Sequence, residues 1–268
     1  MKLRFAKVQS VGNDFVLVHA GLVPDARLPE LARKVSPRRF MVGSDGLLVV
    51  GQSGSRLTLR MFNPDGSEDF CGNGLRSAAW YAKHQGWVDG EFTIEHKGTV
   101  IPGRFKGEEV EVELPPASYE PQDIPVTGQP IINERFDDWQ GTAVSTGSTH
   151  LILDTEALPE TERFMEVGSR LEKDPRFPER TSVIWSQRVT PDCLRIRIWE
   201  RGAGETLGCG TGSAAAGAVA ARALGRGGTF LVANPGGTVR VGLESPDSTI
   251  KVASAASVVF TGEIELPL

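Results

Sequence analysis

The chain has 268 residues, 40% of them hydrophobic and 24% charged, with 31 glycines and a formal net charge of −5. That composition fits a globular protein rich in turns and long enough for two domains of ordinary size. The acidic balance argues against a nucleic-acid or anionic-membrane partner, since either favours a basic surface.

The N-terminal stretch MKLRFAKVQSVGNDF mixes charges with apolar residues and has no uninterrupted apolar run of the signal-peptide kind. Residues 1–114 then carry short alternating runs: LRFAKV, FVLVH, GLLVV, RLTLRMF, EFTIEH, TVIPGRF and EVEVEL. Period-two patterning between Gly, Asn, Asp and Pro predicts mostly antiparallel strands. Two helices are expected among them, one over about Pro29–Val35 and one from near Gly74 to just before Gly86. The cluster Arg33, Lys34, Arg38 and Arg39 reads as a solvated helix end. ELPPASYEPQDIPVTGQP (113–130) reads as a linker.

The second half repeats the grammar, with strands in AVSTGSTHLILD, TSVIWSQ and LRIRIWE and a helix over about Gly212–Leu224. TFLVAN, TVRVGL, TIKVA and VVFTGEIEL follow as strands. That helix, SAAAGAVAARAL, is too short and too alanine-rich to span a bilayer. Three cysteines without export features point to a reducing compartment, and the cytoplasm is the expected location.

The halves also match locally. FCGNGLRSAA (70–79) and LGCGTGSAAAG (207–217) place Cys71 and Cys209 in the same setting, 209 − 71 = 138 positions apart. Ser10-Val-Gly-Asn-Asp-Phe parallels Ser145-Thr-Gly-Ser-Thr-His at an offset of 145 − 10 = 135. Gly66 and Gly204 each precede their cysteine by five residues. An α+β fold of two similar, pseudo-symmetric domains from an internal duplication is expected, each a mainly antiparallel sheet around a central helix, with the active site in the cleft between them. The domains are placed at 1–116 and 117–260, with the C-terminal strand over about 260–268 returning to the first.

Each Cys-Gly-x-Gly element lies between a strand and a helix, so each cysteine sits at a helix N-terminus. Backbone N–H groups and the helix dipole there favour an anion and make a thiolate accessible. Glycine at the following position lets a ligand approach the backbone. Two thiols beside two anion-binding helix ends can remove a proton from one face of a carbon and return one to the other, giving inversion. Zinc would need partners at ligand spacing, and His84 and His150 do not supply it. Gly210-Thr-Gly212-Ser-Ala-Ala215 matches a weak dinucleotide fingerprint, but no acidic residue occurs between Glu205 and Glu244 to take a ribose. Cys193, within CLRIRI, reads as a buried, inert thiol.

With NPDGSEDFCGNGLR (63–76) and ERGAGETLGCGTGSAAA (200–216) both read, the chain resembles the diaminopimelate epimerases, together with Gly12-Asn13-Asp14-Phe15, Gly43-Ser44-Asp45-Gly46 and Gly147 to His150. The resemblance implies a pyridoxal-phosphate-independent isomerase with no cofactor or metal, a small amino-acid substrate and a homodimer. It implies that Cys71 and Cys209 form the acid/base pair. Gly72, Asn73, Gly210 and Thr211 would bind the reacting carboxylate through backbone groups. Glu200 would hold the α-amine and, with His150, tune the thiols. Asn13, Asn63 and Arg201 would grip the far end of the substrate, and Gly46 joins the binding residues. The family's Gly-Asn-Pro-His is here Gly147-Ser148-Thr149-His150, and its Arg-x-Asn is Arg180-Thr181-Ser182. Ser148 and Ser182 thus stand where asparagines read the distal end of diaminopimelate. LL-diaminopimelate to meso-diaminopimelate is the expected reaction. Racemisation of another amino acid, such as histidine, is the alternative, with a non-catalytic or single-base isomerase more remote.

Overall fold

A computed structural model describes residues 2–54 and 56–266. The chain divides into two compact units, Met1–Val112 with Ala253–Leu268, and Glu113–Val252.

The first unit runs β1 (Lys2–Ser10), β2 (Asn13–His19), α1 (Leu28–Val35), β3 (Gly46–Ser53), β4 (Arg56–Phe62), α2 (Gly72–His84), β5 (Glu91–His96), β6 (Thr99–Lys106) and β7 (Glu109–Leu114). The second contains β8 (Glu134–Phe136), β9 (Trp139–Ser145), β10 (Thr149–Thr155), α3 (Thr161–Leu171), β11 (Ser182–Thr190), β12 (Cys193–Glu200), β13 (Gly204–Thr206), α4 (Gly210–Leu224), β14 (Gly228–Asn234) and β15 (Gly237–Leu243). The last strand, β16 (Ile250–Glu265), returns to the first unit from Ala253 onward and pairs antiparallel with β1, Lys2 opposite Glu265.

The duplication is visible in the strand pairings. β1–β2, β3–β4 and β5–β6 are antiparallel, while β2–β3 and β4–β5 are parallel. In the second unit β9–β10, β11–β12 and β14–β15 are antiparallel, while β10–β11 and β12–β14 are parallel. The parallel pairs are those spanning α1, α2, α3 and α4, because a crossover long enough to return in the same direction carries a helix. Alternation along each strand predicts a half-buried face but not the direction of its neighbour.

α2 and α4 are the central helices. Leu75, Ala78, Ala79 and Ala82 of α2 are buried, as are Ala214, Ala215, Ala216, Ala218, Ala220 and Ala221 of α4. Alanine favours a helix and keeps it thin where strands approach closely. A Cβ at Gly217 would come within 2.7 Å of Val241 Cγ1. α4 stops at Gly225, whose φ of 65° is left-handed. The outer helices cover the other face: Leu28, Leu31 and Val35 of α1 join Val16, Val18, Leu47 and Phe62, and Phe164, Val167 and Leu171 of α3 join Leu151, Leu153, Val183 and Trp185.

Some local expectations change. α3 has no counterpart in the sequence reading. TIKVA and VVFTGEIEL are parts of one continuous strand, β16. The proline-rich segment is pinned rather than loose: Ser118 bridges to Ser145, Ile124 is buried, and Arg222 lies over the Tyr119 ring at 4.5 Å. Cys193 opens β12 beside a turn and is half-buried rather than buried. Arg38 is not simply solvated, since it bonds Asp14 and Asp45 at 2.6 and 2.5 Å.

Candidate active site: two cysteine-capped helices

Each cysteine is the N-cap of its central helix. Cys71 has φ −140° and ψ 108°, and its Sγ accepts the Gly74 N–H at 3.3 Å. Cys209 has φ −132° and ψ 118°, and its Sγ accepts the Gly212 N–H at 3.2 Å. Sulfur thus takes the place of the usual capping oxygen, at the positive end of a helix dipole. The second glycine of each motif has a steric reason. A Cβ at Gly74 would sit 3.0 Å from Leu48 Cδ2 and 3.5 Å from Cys71 Sγ, and one at Gly212 would sit 2.5 Å from Ile184 Cδ1 and 3.2 Å from Cys209 Sγ.

The backbone of each cysteine is held by a residue that ends the strand after the helix. The Cys71 N–H donates to His96 Nε2 at 3.2 Å, and the Cys209 N–H to Asn234 Oδ1 at 3.4 Å. The spacings agree: 96 − 71 = 25 and 234 − 209 = 25. His96 Nδ1 lies 3.0 Å from the Leu59 carbonyl. Nδ1 therefore carries the hydrogen and Nε2 is the bare acceptor. Burial holds His96 below the usual histidine range, consistent with the neutral ring this geometry needs. Phe70 stacks on His96 at 4.9 Å. Asn234 is fixed by Nδ2 bonds to Ser213 Oγ and the Val232 carbonyl, both at 3.0 Å. Sequence reasoning missed both residues. The available signal was a polar residue 25 positions after each cysteine.

Around Cys71, Asn13 Oδ1 accepts from Asn73 Nδ2 at 3.2 Å and from the Cys71 thiol at 3.9 Å. Asn13 Nδ2 donates to Asp45 Oδ2 at 2.8 Å, which sets the orientation of the amide. Asn73 Oδ1 accepts from buried Arg76, whose Nε donates to Ser254 Oγ at 2.7 Å. Asn13, Asn73 and Gly72 thus gather at Cys71. Asn63 lies in the turn that follows β4, with its N–H on the Ser67 carbonyl at 2.8 Å and Nδ2 on Ser67 Oγ at 3.1 Å. Gly46 is buried at the start of β3, where a Cβ would meet the Phe62 carbonyl at 2.7 Å. Its role there is close packing.

Around Cys209, Thr211 Oγ1 lies 3.4 Å from Sγ, and the Thr211 carbonyl accepts from Thr146 Oγ1 at 2.9 Å. Ser148 Oγ donates to Thr211 Oγ1 at 3.0 Å and lies 3.0 Å from His150 Nε2. His150 is buried, its Nδ1 has no hydrogen-bond partner, and burial with the nearby Arg201 charge pushes it down to about 3. It is therefore neutral.

Gly210 opens α4, directly after Cys209. Glu200 ends β12 and Arg201 follows; the Arg201 N–H donates to Ser182 Oγ at 3.1 Å, and its Nη1 reaches the Glu179 carbonyl at 3.3 Å. Buried Glu172, at the end of α3, braces this corner by accepting from Arg180 Nη1 (2.9 Å), Trp199 Nε1 (2.8 Å) and the Gly202 N–H (3.0 Å). Sequence reasoning missed Glu172 along with its helix.

Among the described residues no group of three or more His, Cys, Asp and Glu is placed to hold a metal ion, and no helix is long and apolar enough to cross a membrane.

The whole-chain comparisons agree with this architecture. A protein of the Bacillus anthracis phenazine-biosynthesis PhzF family has a TM-score of 0.70 at 19% identity, covering 99% of this chain and 100% of that one. A hydroxyproline epimerase from Agrobacterium vitis, with bound trans-4-hydroxy-L-proline, has a TM-score of 0.72 at 13% identity, covering 98% and 91%. At those identities the likeness is one of fold. Diaminopimelate epimerases are nearer in sequence: that of Moorella thermoacetica is 38% identical over 98% of this chain and 100% of its own, and that of Synechococcus elongatus 37% identical over 99% of each. The diaminopimelate epimerase family pattern matches residues 5–119 and 142–260, spanning both cysteine-capped helices, and the chain belongs to that family.

Proposed function

We propose that this protein is an amino-acid epimerase that converts LL-diaminopimelate to meso-diaminopimelate by a two-thiol proton transfer, a step serving lysine biosynthesis. The observation carrying this reading is the repeated N-cap: in each unit a cysteine sulfur accepts the N–H of the third helical residue. In the reaction, one cysteine as thiolate takes the α-proton. The Cα–H bond breaks, an S–H bond forms, and the electron pair is delocalised into the substrate carboxylate. The other cysteine as thiol gives its proton to the opposite face and becomes the thiolate. One proton has entered and one has left, so no oxidant or reductant is required.

The first N–H groups of α2 and α4, at Gly72, Asn73, Gly210 and Thr211, suit the carboxylate and the negative charge that grows on it. Glu200 would take the α-amine, and Arg201 would pair with the distal carboxylate, with Asn13 and Asn63 toward that end. A second reading, inversion of a different amino acid, rests on one observation: the hydroxyls of Ser148 and Ser182 are engaged with Thr211 and with the Arg201 N–H. A homodimer in the cytoplasm is part of the proposal.

Deuterium exchange tests it. The protein should exchange the α-proton of LL- and meso-diaminopimelate in deuterated water, and Cys71→Ala and Cys209→Ala should each abolish inversion. Exchange confined to another amino acid would select the second reading, and near-full inversion by either variant would remove the two-thiol mechanism.

A further inference from the structure

The two thiols are not equivalently surrounded, and one difference lies at two duplicated pairs of positions. Asn13 and Ser148 correspond, since 148 − 13 = 135, and so do Phe15 and His150, since 150 − 15 = 135. In both units the turn residue contacts the residue two after the cysteine: Asn13 with Asn73 at 3.2 Å, and Ser148 with Thr211 at 3.0 Å. Behind the turn residue the first unit has fully buried Phe15, which has no polar side-chain atom, and the second has buried His150.

The hydrogens in the second unit can be placed. A buried N–H without an acceptor is the rarer and costlier orphan. Partnerless Nδ1 of His150 is therefore the bare nitrogen, and Nε2 carries the hydrogen. Nε2–H donates to Ser148 Oγ, whose own hydrogen goes to Thr211 Oγ1. The Thr211 hydroxyl then directs its hydrogen at Cys209 Sγ, 3.4 Å away.

We propose that Ser148 is a positioning residue that orders a one-way chain of donors, His150 to Ser148 to Thr211 to Cys209, and so favours the thiolate of Cys209. No proton travels along the chain. Its aligned dipoles stabilise negative sulfur and weaken their hold once the sulfur is protonated, and each link polarises the next. The charged groups at this end of the unit include Glu200, which ends β12, Arg201 after it, and buried Glu172 with its partner Arg180. Arg201 acts on His150 by disfavouring its protonation, which keeps the chain pointing toward sulfur.

The inference concerns the candidate active site and rests on the two-thiol reading for its catalytic meaning, but it can be tested without substrate. The rate of iodoacetamide alkylation would be measured against pH at Cys71 and Cys209 separately, by peptide mass spectrometry of the full chain. Thr211→Val should raise the ionisation midpoint of Cys209 by about one unit, a tenfold loss of thiolate below the midpoint. Ser148→Ala should raise it by a smaller amount, and the double variant should match Thr211→Val, because the serine acts through the threonine. Cys71 should not move in any of them. Ser148→Thr keeps a hydroxyl and should keep the wild-type midpoint, which separates the chain from a folding defect. An unchanged Cys209 midpoint in folded Ser148→Ala, or equal shifts at both cysteines, would overturn the proposal. Retained inversion by Cys209→Ala would instead remove the two-thiol reading and leave this titration result standing.

Discussion

Replacing Gly212 by alanine isolates what the second glycine of the cysteine motif does. The new Cβ would lie 2.5 Å from Ile184 Cδ1 and 3.2 Å from both Cβ and Sγ of Cys209. Ile184 is fully buried, so its terminal methyl has little room to retreat. Overpacking of this kind costs about 1–3 kcal/mol. Alanine's better helix propensity offsets about 1 kcal/mol of that. A net loss of roughly 0–2 kcal/mol follows, which lowers Tm by up to about 8 °C in a chain of this size. Turnover should fall further than stability, because the same methyl presses on the sulfur and strains its bond from the Gly212 N–H. Ile184→Val removes the opposing Cδ1 and by itself costs about 0.5–1.5 kcal/mol. The double variant should be about as stable as Ile184→Val alone, giving a favourable coupling in a cycle read by thermal unfolding and by kcat. Additivity to within about 0.3–0.5 kcal/mol would refute the clash.

Removing the acceptor in His96→Ala leaves the Cys71 N–H unpaired, at about 1–3 kcal/mol of stability, and should lower kcat with little change in KM. His96→Asn, which offers the kind of acceptor Asn234 supplies in the second unit, should recover part of kcat; equal losses in both variants would count against the hydrogen bond. Burial lowers both His96 and His150 from 6.5, so below that pH the unfolded chain binds protons that the folded chain refuses. Folding stability should therefore fall as pH drops below about 6.5, with the His150 contribution declining toward about 3. His150→Asn should flatten that slope in urea midpoints measured from neutral to acid pH, and an unchanged slope would show that His150 is not its source.

What could be read from the sequence was what repeats or alternates. The two Cys-Gly-x-Gly elements announced both central helices, whose starts at Gly72 and Gly210 lie within two residues of the expected positions. α3 escaped because charged residues in TERFMEVGSRL dilute a core face of only Phe164, Val167 and Leu171. The halves of β16 looked separate because Ala253-Ser254-Ala255-Ala256 lacks the bulky residues that mark strands. The site was legible at the residues adjoining the cysteines and obscure where a distant strand end supplies the partner. His96 and Asn234 each reach a cysteine through one hydrogen bond, and one hydrogen bond leaves no periodicity to detect. The serines at 148 and 182 were legible as departures, but the partners of their hydroxyls emerge only when β10, β11 and α4 are assembled.

The return of β16 to β1 bears on how the chain is completed during synthesis. The second unit is contiguous, so its whole sequence is available once residue 252 has cleared the ribosome. The first unit is interrupted by an insertion of 252 − 113 + 1 = 140 residues, and the edge of β1 away from β2 lacks its strand partner until the segment after 252 follows. During that interval β1 is an open edge, the feature by which nascent chains pair with wrong neighbours. Its outward residues Lys2 and Arg4, later opposite Glu265 and Glu263, put like charges along that edge and discourage a second nascent copy from docking there. The strand that finishes the fold therefore also ends the nascent chain's exposure to misassembly.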